Sequence, residues 1–159
     1  MDAAIVAVLF QGGLRRSEAA ALVWGDIGEA RDGVLIRVRC SRTGPDGSGA
    51  DVRYLKSEFA RAVLRLRAET NGARNPEQPV FGGLTGATLA KRLAAAAASA
   101  GIEGRITGHS GRVCLAAELT ARGAPMQAVM LAGNWKSPAM VAHYSAAAGA
   151  EHGAVARYL

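Results

Sequence analysis

The sequence predicts a mainly α-helical domain of the α+β class, with one small antiparallel β-hairpin or sheet early in the chain. Two segments, 34–40 and 51–55, are rich in β-branched residues and flank a run of glycine, proline and aspartate at 43–49, which is typical of a hairpin. Most of the remaining chain carries apolar residues at helical spacing, in segments separated by glycine or proline. The chain has 159 residues, of which 50% are hydrophobic, so it can bury the core of one domain.

Three helices are expected around the hairpin. Residues 3–10 are apolar and end before a pair of glycines, and residues 17–23 carry apolar side chains on one helical face. After the second strand, Ser57 can cap a helix that runs to about residue 69. A serine hydroxyl at such a position accepts a hydrogen bond from a free N–H group of the first helical turn.

Four helices are expected in the second half of the chain, and each has a start or a stop signal. The signals are Gly101 after a helix over 88–100, Gly123 after a helix over 110–122, Pro125 at the first position of the next helix, and Ser137-Pro138 at the start of the last one. Residues 146–159 follow as a tail rich in alanine and glycine, with too little apolar surface for a core of its own.

The charge balance favours a polyanionic partner. The chain has 19 Lys and Arg against 13 Asp and Glu, a net charge of +6, and its isoelectric point is near 10. No apolar run approaches the ~18 residues that a membrane span needs. The N-terminus has neither the basic region nor the cleavage site of a secretory signal, so a cytoplasmic location is expected.

The two cysteines, Cys40 and Cys114, lie far apart in the sequence and form no C-x-x-C pair. In a reducing cytoplasm, neither a disulfide nor a metal site is expected from such cysteines. We therefore interpret both as small buried side chains.

One group of residues near the C-terminus has the composition of a phosphodiester-cleaving site. His109 and Arg112 are three residues apart and so share a helix face, Trp135 follows after a second helix, and Tyr144 closes the group. Imidazole and guanidinium groups can bind phosphate oxygens, and a phenol can attack the phosphorus. Each residue alone is weakly diagnostic, because H-x-x-R pairs arise by chance and a tyrosine near a C-terminus is more often a packing residue.

A second group, near the N-terminus, completes a resemblance to a known family. Residues 13–27, which begin Gly-Leu-Arg-Arg-Ser-Glu and end Ala-Leu-Val-Trp-Gly-Asp-Ile, resemble the first conserved box of the tyrosine recombinases, or phage integrases. Residues 109–144 resemble the second box, and the resemblance covers essentially the whole chain. It implies the tyrosine recombinase catalytic-domain fold, shared in outline with type IB topoisomerases. It also implies that residues 1–159 form a single catalytic domain, without the N-terminal DNA-clamping domain typical of the family.

The resemblance implies a role for each residue of the two boxes. Arg15 and Arg112 are implied to clamp the non-bridging phosphate oxygens, which suits guanidinium because its planar fork makes two parallel hydrogen bonds. His109 is implied to be a phosphate donor that can also relay a proton, and Tyr144 the nucleophile. Trp135 stands where the family has His or Trp, and its indole N–H either donates to the phosphate or the ring only packs the site. Without the resemblance, Arg15 would be interpreted as solvated and His109 as a helix cap.

Other residues of similar chemistry are expected to take no direct part. Glu18 resembles the carboxylate common in the first box and is expected to brace Arg15 or His109, since a carboxylate beside phosphate would repel it. Tyr54 lies in a predicted strand and Tyr158 in the terminal tail, and neither has a motif around it.

The chain departs from the family at one position of the hairpin. Where the family places a lysine before threonine, which protonates the leaving 5′-oxygen, residues 40–43 read Cys-Ser-Arg-Thr. Arg42 can donate hydrogen bonds but is a poor proton donor, since the pKa of a guanidinium lies above about 12. Three alternatives stay open: Arg42 is an electrostatic substitute, Lys56 reaches in from the end of the hairpin, or the protein is slow or inactive.

Together these features predict site-specific DNA recombination or integration, by strand cleavage and rejoining through a 3′-phosphotyrosyl intermediate. The expected partners are double-stranded DNA and further copies of the chain, assembled on it as a dimer or tetramer. The expected location is the cytoplasm, in association with the nucleoid, for a protein of bacterial or phage origin; no cofactor, metal or membrane is expected. We also expect the tail, residues 146–159, to dock on a neighbouring protomer. Two alternatives are a catalytically weak or inactive DNA-binding relative, and DNA relaxation of the type IB topoisomerase kind.

A substrate with sulfur in place of the 5′-bridging oxygen tests Arg42. A thiolate leaves without a proton, so if Arg42 has replaced the lysine, the sulfur substrate should form covalent adduct much faster than the oxygen substrate. Arg42→Lys should narrow this gap by speeding the oxygen reaction, whereas Arg15→Ala should be slow on both substrates. Equal rates of adduct formation on the two substrates in the wild type would show that another residue supplies the proton.

Overall fold

The fold consists of seven helices and a three-stranded antiparallel sheet within residues 1–39 and 51–146, the residues that the computed structural model describes. The predicted mainly helical class with one small sheet is therefore confirmed. None of the helices in this part of the chain has the length and apolar character needed to cross a bilayer. In chain order the elements are α1 Asp2–Leu9, α2 Arg16–Ala20, β1 Ile27–Ala30, β2 Gly33–Val38, β3 Asp51–Lys56, α3 Ser57–Glu69, α4 Gly86–Ser99, α5 Ser110–Ala121, α6 Met126–Gly133 and α7 Pro138–Tyr144.

The sheet has the strand order β1-β2-β3. The sequence predicted β2 and β3 as a hairpin, and the structure adds the short strand β1 at the outer side of β2. Strands β2 and β3 pair from Val38 opposite Asp51 at one end to Gly33 opposite Lys56 at the other. The predicted turn over 43–49 lies outside the described residues.

Two apolar clusters form the core. The larger one joins α1 to the sheet and to helices α3 and α4, with fully buried side chains such as Ile5, Leu14 and Trp24. The smaller one lies between α5, α6 and α7, and Tyr144 packs against its edge. The members of the smaller cluster are Leu115, Ala116, Val129, Trp135 and Val141.

Helix α2 is shorter than predicted, because it ends at Ala20 instead of residue 23. The carboxylate of Asp26 accepts a hydrogen bond from the backbone N–H of Val23 at 3.1 Å, which turns the chain away from the helix. Val23 then forms an isolated antiparallel bridge with Pro79, and Trp24 begins a 3-10 turn that buries its ring.

Two smaller predictions are wrong. Ser57 does not cap α3: it is the first helical residue, with φ of +55°, and Lys56 occupies the cap position without a side-chain hydrogen bond. Cys114 is exposed on α5 instead of buried, since that helix turns a narrow face to the small cluster. Cys40 lies outside the described residues.

Helix α5 lies directly against the end of α1 through Gly111. A Cβ atom at Gly111 would overlap the carbonyl oxygen of Leu9 and stand 2.7 Å from its carbonyl carbon. Because both groups belong to the backbone, neither can move away cheaply. This close approach fixes the start of α5, where His109 and Arg112 are found.

Gly111→Ala should destabilise the fold by up to about 2 kcal/mol, because the overlap costs about 1–3 kcal/mol and alanine is favoured over glycine in a helix by only ~1 kcal/mol. Urea unfolding measures the effect. Gly28→Ala is the matched control, since a Cβ there meets nothing within 4 Å, and it should change stability by less than about 0.5 kcal/mol. A Gly111→Ala protein as stable as the wild type would show that α5 does not depend on this contact.

Candidate active site

The side chains of His109 and Tyr144 meet at the junction of α5 and α7. The hydroxyl oxygen of Tyr144 lies 2.8 Å from Nε2 of His109, and the rings meet edge to face with centroids 5.3 Å apart. Tyr144 is the last residue of the seven-residue helix α7. The helix begins at Pro138, and the Ser137 hydroxyl caps it by accepting a hydrogen bond from the N–H of Ala139 at 3.2 Å. The predicted start signal of this helix is confirmed.

Arg112 is buried at the centre of the group, with 1% of its surface exposed. Its guanidinium donates one hydrogen bond to the carbonyl oxygen of Gly13 and another to that of Gly133, the latter at 2.9 Å. Its Cζ atom also lies 4.9 Å from the ring centre of Trp135, within cation–π range. Arg112 therefore connects the loop before α2 to the end of α6.

Trp135 packs against both Tyr144 and Arg112. It is 3% exposed and meets the ring of Tyr144 edge on, with centroids 6.2 Å apart. Two backbone features set its position. Asn134, with a left-handed φ of +48°, ends α6, and the backbone N–H of Trp135 donates a hydrogen bond to the carbonyl oxygen of Met130 at 2.9 Å. Within the described residues, its buried indole N–H has no hydrogen-bond partner.

Arg15 and Glu18 form an ion pair at the start of α2. The Glu18 carboxylate accepts hydrogen bonds from the backbone N–H of Arg15 at 2.7 Å and from its guanidinium at 2.6 Å. The Glu18 side chain is only 4% exposed, whereas that of Arg15 is 34% exposed. Of the two residues that Glu18 was expected to brace, it contacts Arg15, and this contact holds the guanidinium at the start of α2.

A cleft of about 350 Å³ opens beside His109. Arg15 and Arg16, the two arginines of the first box, border this cleft together with the residues at the start of α5. The walls of the cleft therefore carry a net positive charge. The lining residues are Arg15, Arg16, Ser17, Thr107, Gly108 and His109. A dianionic or monoanionic group is the chemistry that such a cleft accommodates.

The same burial and charge affect the pKa values of the site. Burial lowers the pKa of His109 below its usual range, and the positive charges of Arg112 and Arg15 lower it further. Burial and then the charge of Arg15 lower the pKa of Arg112 to about 10, which leaves its guanidinium protonated at neutral pH. His109 is therefore a neutral imidazole next to the Tyr144 hydroxyl at neutral pH, able to accept its proton.

Several residues considered from the sequence lie away from this group. Lys56 lies at the far end of β3, about 16 Å along the strand from Asp51, and lines a separate cavity against α1 and α5. Tyr54 is 43% exposed on the sheet. Arg42 and Tyr158 lie outside the described residues. In the described part of the chain, no group of three His, Cys, Asp or Glu side chains is placed to hold a metal ion.

The sequence interpretation missed Arg53, which lies buried behind the site. It is 2% exposed and donates a hydrogen bond to the carbonyl of Ala132, next to the carbonyl that Arg112 binds. The signal was present: side chains alternate along a strand, so an inward Leu55 places Arg53 inward as well.

The architecture is that of tyrosine recombinase catalytic domains. The chain is similar to a crystal structure of XerA recombinase (TM-score 0.73, 20% identity), with 89% of this chain and 52% of that chain covered. It is also similar to XerH site-specific recombinase bound to palindromic difH substrate in a post-cleavage complex (TM-score 0.70, 17% identity, 93% and 42% covered). A lambda integrase (75–356) dimer bound to a COC′ core site gives a TM-score of 0.60 at 15% identity, with 90% and 50% covered.

The sequence profile described as the phage integrase family matches residues 1–151. The chain therefore belongs to the phage integrase family. It spans about half the length of the solved structures that it matches. No curated protein sequence matches it.

Protonation of His109 should destabilise the free protein. Because the pKa of His109 is lowered in the folded state, the unfolded chain binds the proton more tightly, and stability falls as pH drops below about 6.5, the usual histidine value. Stability should recover fully as pH rises above that value. The measurement is urea unfolding between pH 5 and 7.5 for the wild type and His109→Gln. The variant should lose part of this pH dependence, and identical profiles would contradict the lowered pKa.

Proposed function

We propose that the chain cleaves and rejoins double-stranded DNA at specific sites, with Tyr144 as the nucleophile. The observation that carries this proposal is the 2.8 Å hydrogen bond between the Tyr144 hydroxyl and Nε2 of His109, beside a buried Arg112. A phenol attacks phosphorus only when its proton is removed, and a neutral imidazole at hydrogen-bond distance is the group suited to remove it.

In the proposed cleavage step, the Tyr144 oxygen attacks the scissile phosphorus and its proton passes to Nε2 of His109. A bond forms between the tyrosine oxygen and phosphorus, and the bond from phosphorus to the 5′-oxygen breaks. The products are a 3′-phosphotyrosyl link and a 5′-hydroxyl. A 5′-hydroxyl from a second strand reverses the step, so the phosphodiester bond is restored without an external energy source.

Arg15 and the neighbouring cleft support phosphate binding in this scheme. Arg15 is partly exposed and held in place by Glu18, and together with His109 it borders the positive cleft. Preorganised donors of this kind stabilise charge that builds on non-bridging oxygens in the transition state. The Arg112 Nε–H and the Trp135 indole N–H are buried without partners among the described residues, and we propose the phosphate as their acceptor.

At the departing 5′-oxygen we propose Arg42 as an electrostatic substitute for lysine: its guanidinium donates hydrogen bonds to the developing negative charge, and the oxygen takes its proton from water. The position of Lys56 at the far end of β3 makes it the weaker candidate. The arginine at this place also favours the alternative function, a DNA-binding relative that cleaves slowly or not at all.

Tyr144→Phe should abolish covalent attachment to DNA while leaving DNA binding and the melting temperature unchanged, because phenylalanine keeps the ring and removes the attacking oxygen. The substrate is a pool of duplexes with randomised sequence and a nick, which lets a short cleaved fragment diffuse away and traps the adduct. Adduct is measured on a denaturing gel. Tyr54→Phe is the matched control and should form adduct like the wild type.

The outcomes separate the proposals. Adduct in the wild type and in Tyr144→Phe would show that another residue is the nucleophile. DNA binding without adduct in the wild type would favour the inactive DNA-binding relative. Relaxation of a supercoiled plasmid by the wild type, without joining of two DNA sites, would favour a topoisomerase-like activity.

A further inference from the structure

A buried arginine on the sheet and the end of α6 form a hydrogen-bonded network behind the site. Arg53 donates to the carbonyl oxygen of Ala132 at 2.6 Å and to the Asp51 carboxylate at 2.7 Å. The same carboxylate oxygen accepts a hydrogen bond from the side-chain amide of Asn134 at 2.9 Å. The side chains of Arg53 and Asp51 are 1% and 7% exposed, so this ion pair is largely shielded from water.

The network holds the residues that position Arg112 and Trp135. The carbonyls of Ala132 and Gly133 belong to the last turn of α6, where a helix leaves its carbonyl groups without internal partners. Arg53 binds the first of them and Arg112 the second. Asn134, which Asp51 binds, is the left-handed residue directly before Trp135. Two buried cations thus bind adjacent carbonyls at the negative end of one helix.

Gly133 shows how little room this turn has. A Cβ atom there would overlap the ring of Trp135. A small rotation of the turn would therefore move the indole ring against Arg112 and Tyr144, with which it is already in contact.

We propose that Arg53, with Asp51, is a positioning residue for the recombinase site: it fixes the α6–α7 turn so that Gly133 and Trp135 hold Arg112 in place. This inference rests on the proposed function. Arg53 acts through the turn and does not contact the reacting groups. Because Asp51 is the first residue of β3, the network also ties the sheet to the end of α6.

The test removes the network without leaving an unpaired buried charge. Removing Arg53 alone would leave the Asp51 carboxylate buried without its cationic partner, which is strongly destabilising. Replacing both members of a buried ion pair by neutral residues is often tolerated. The double variant Arg53→Leu, Asp51→Asn should therefore keep a melting temperature near that of the wild type. Its rate of adduct formation should fall by about 10- to 100-fold, the loss expected from a small misplacement of site residues. Its DNA affinity should stay close to that of the wild type, because Arg53 is buried behind the site.

A second readout reports on the turn itself. The chain has two tryptophans, so its indole N–H groups give two signals in a proton–nitrogen NMR spectrum, and Trp135→Phe identifies the signal of Trp135. That signal should move in the double variant. Arg53→Lys, which keeps a donor, should restore part of the rate. Arg67→Leu is the matched control, since Arg67 pairs with Glu29 away from the site, and it should change neither the rate nor the signal.

Each outcome decides the proposal. A folded double variant with the wild-type adduct rate overturns it, and so does a slow double variant whose Trp135 signal does not move. If the double variant does not fold, Arg53→Lys is compared with the wild type by the same two readouts, and no change in either overturns the proposal. If the wild type forms no adduct, the proposed function fails, and the Trp135 signal alone decides whether Arg53 positions the turn.

Discussion

The buried guanidinium of Arg112 is the interaction on which the rest of the site depends. It is 1% exposed, and it satisfies part of its hydrogen-bonding capacity on backbone carbonyls of Gly13 and Gly133, which are 120 residues apart in the chain. A charged group is costly to bury without partners, so these carbonyls must be presented correctly for the fold to form. The Arg112 side chain thereby links the first conserved box to the second. The loop before α2 cannot move independently of the end of α6.

Positive charge is concentrated in this site with little compensation. Arg15, Arg112 and His109 converge there, and Glu18 is the carboxylate that the structure pairs with one of them. The protein accommodates the imbalance by keeping His109 neutral and by directing Arg112 to backbone dipoles. An anion that entered the cleft would offset this repulsion, in keeping with the proposed binding of a phosphate there.

The local features of the site could be predicted from the sequence, because they depend on residues close together in the chain. Ser137 and Pro138 indicated the start of α7, and the spacing of His109, Arg112 and Tyr144 indicated a shared site. The family resemblance, confirmed over residues 1–151, supplied the pairing of the two boxes. Whether Arg42 serves as the lysine substitute stays a prediction.

What could not be predicted depends on tertiary contacts. The early end of α2 follows from Asp26 and the bridge from Val23 to Pro79, which are distant from the helical pattern itself. The exposure of Cys114 depends on which face of α5 meets the small cluster. Arg53 was missed because charged residues in a strand are usually assigned to its outer face, and only its carbonyl partner on α6 makes the inward position tolerable.

The contact between Tyr144 and His109 also bears on whether the residues of one site come from one copy of the chain or from two. Both residues come from one polypeptide, and α7 lies against α5 of the same molecule. In the proposed mechanism, each protomer therefore carries the nucleophile and its proton acceptor on the same polypeptide. As long as α7 stays packed on α5, the proposed mechanism leaves two defective chains, one without the phenol and the other without Arg112, unable to restore adduct formation when they are mixed.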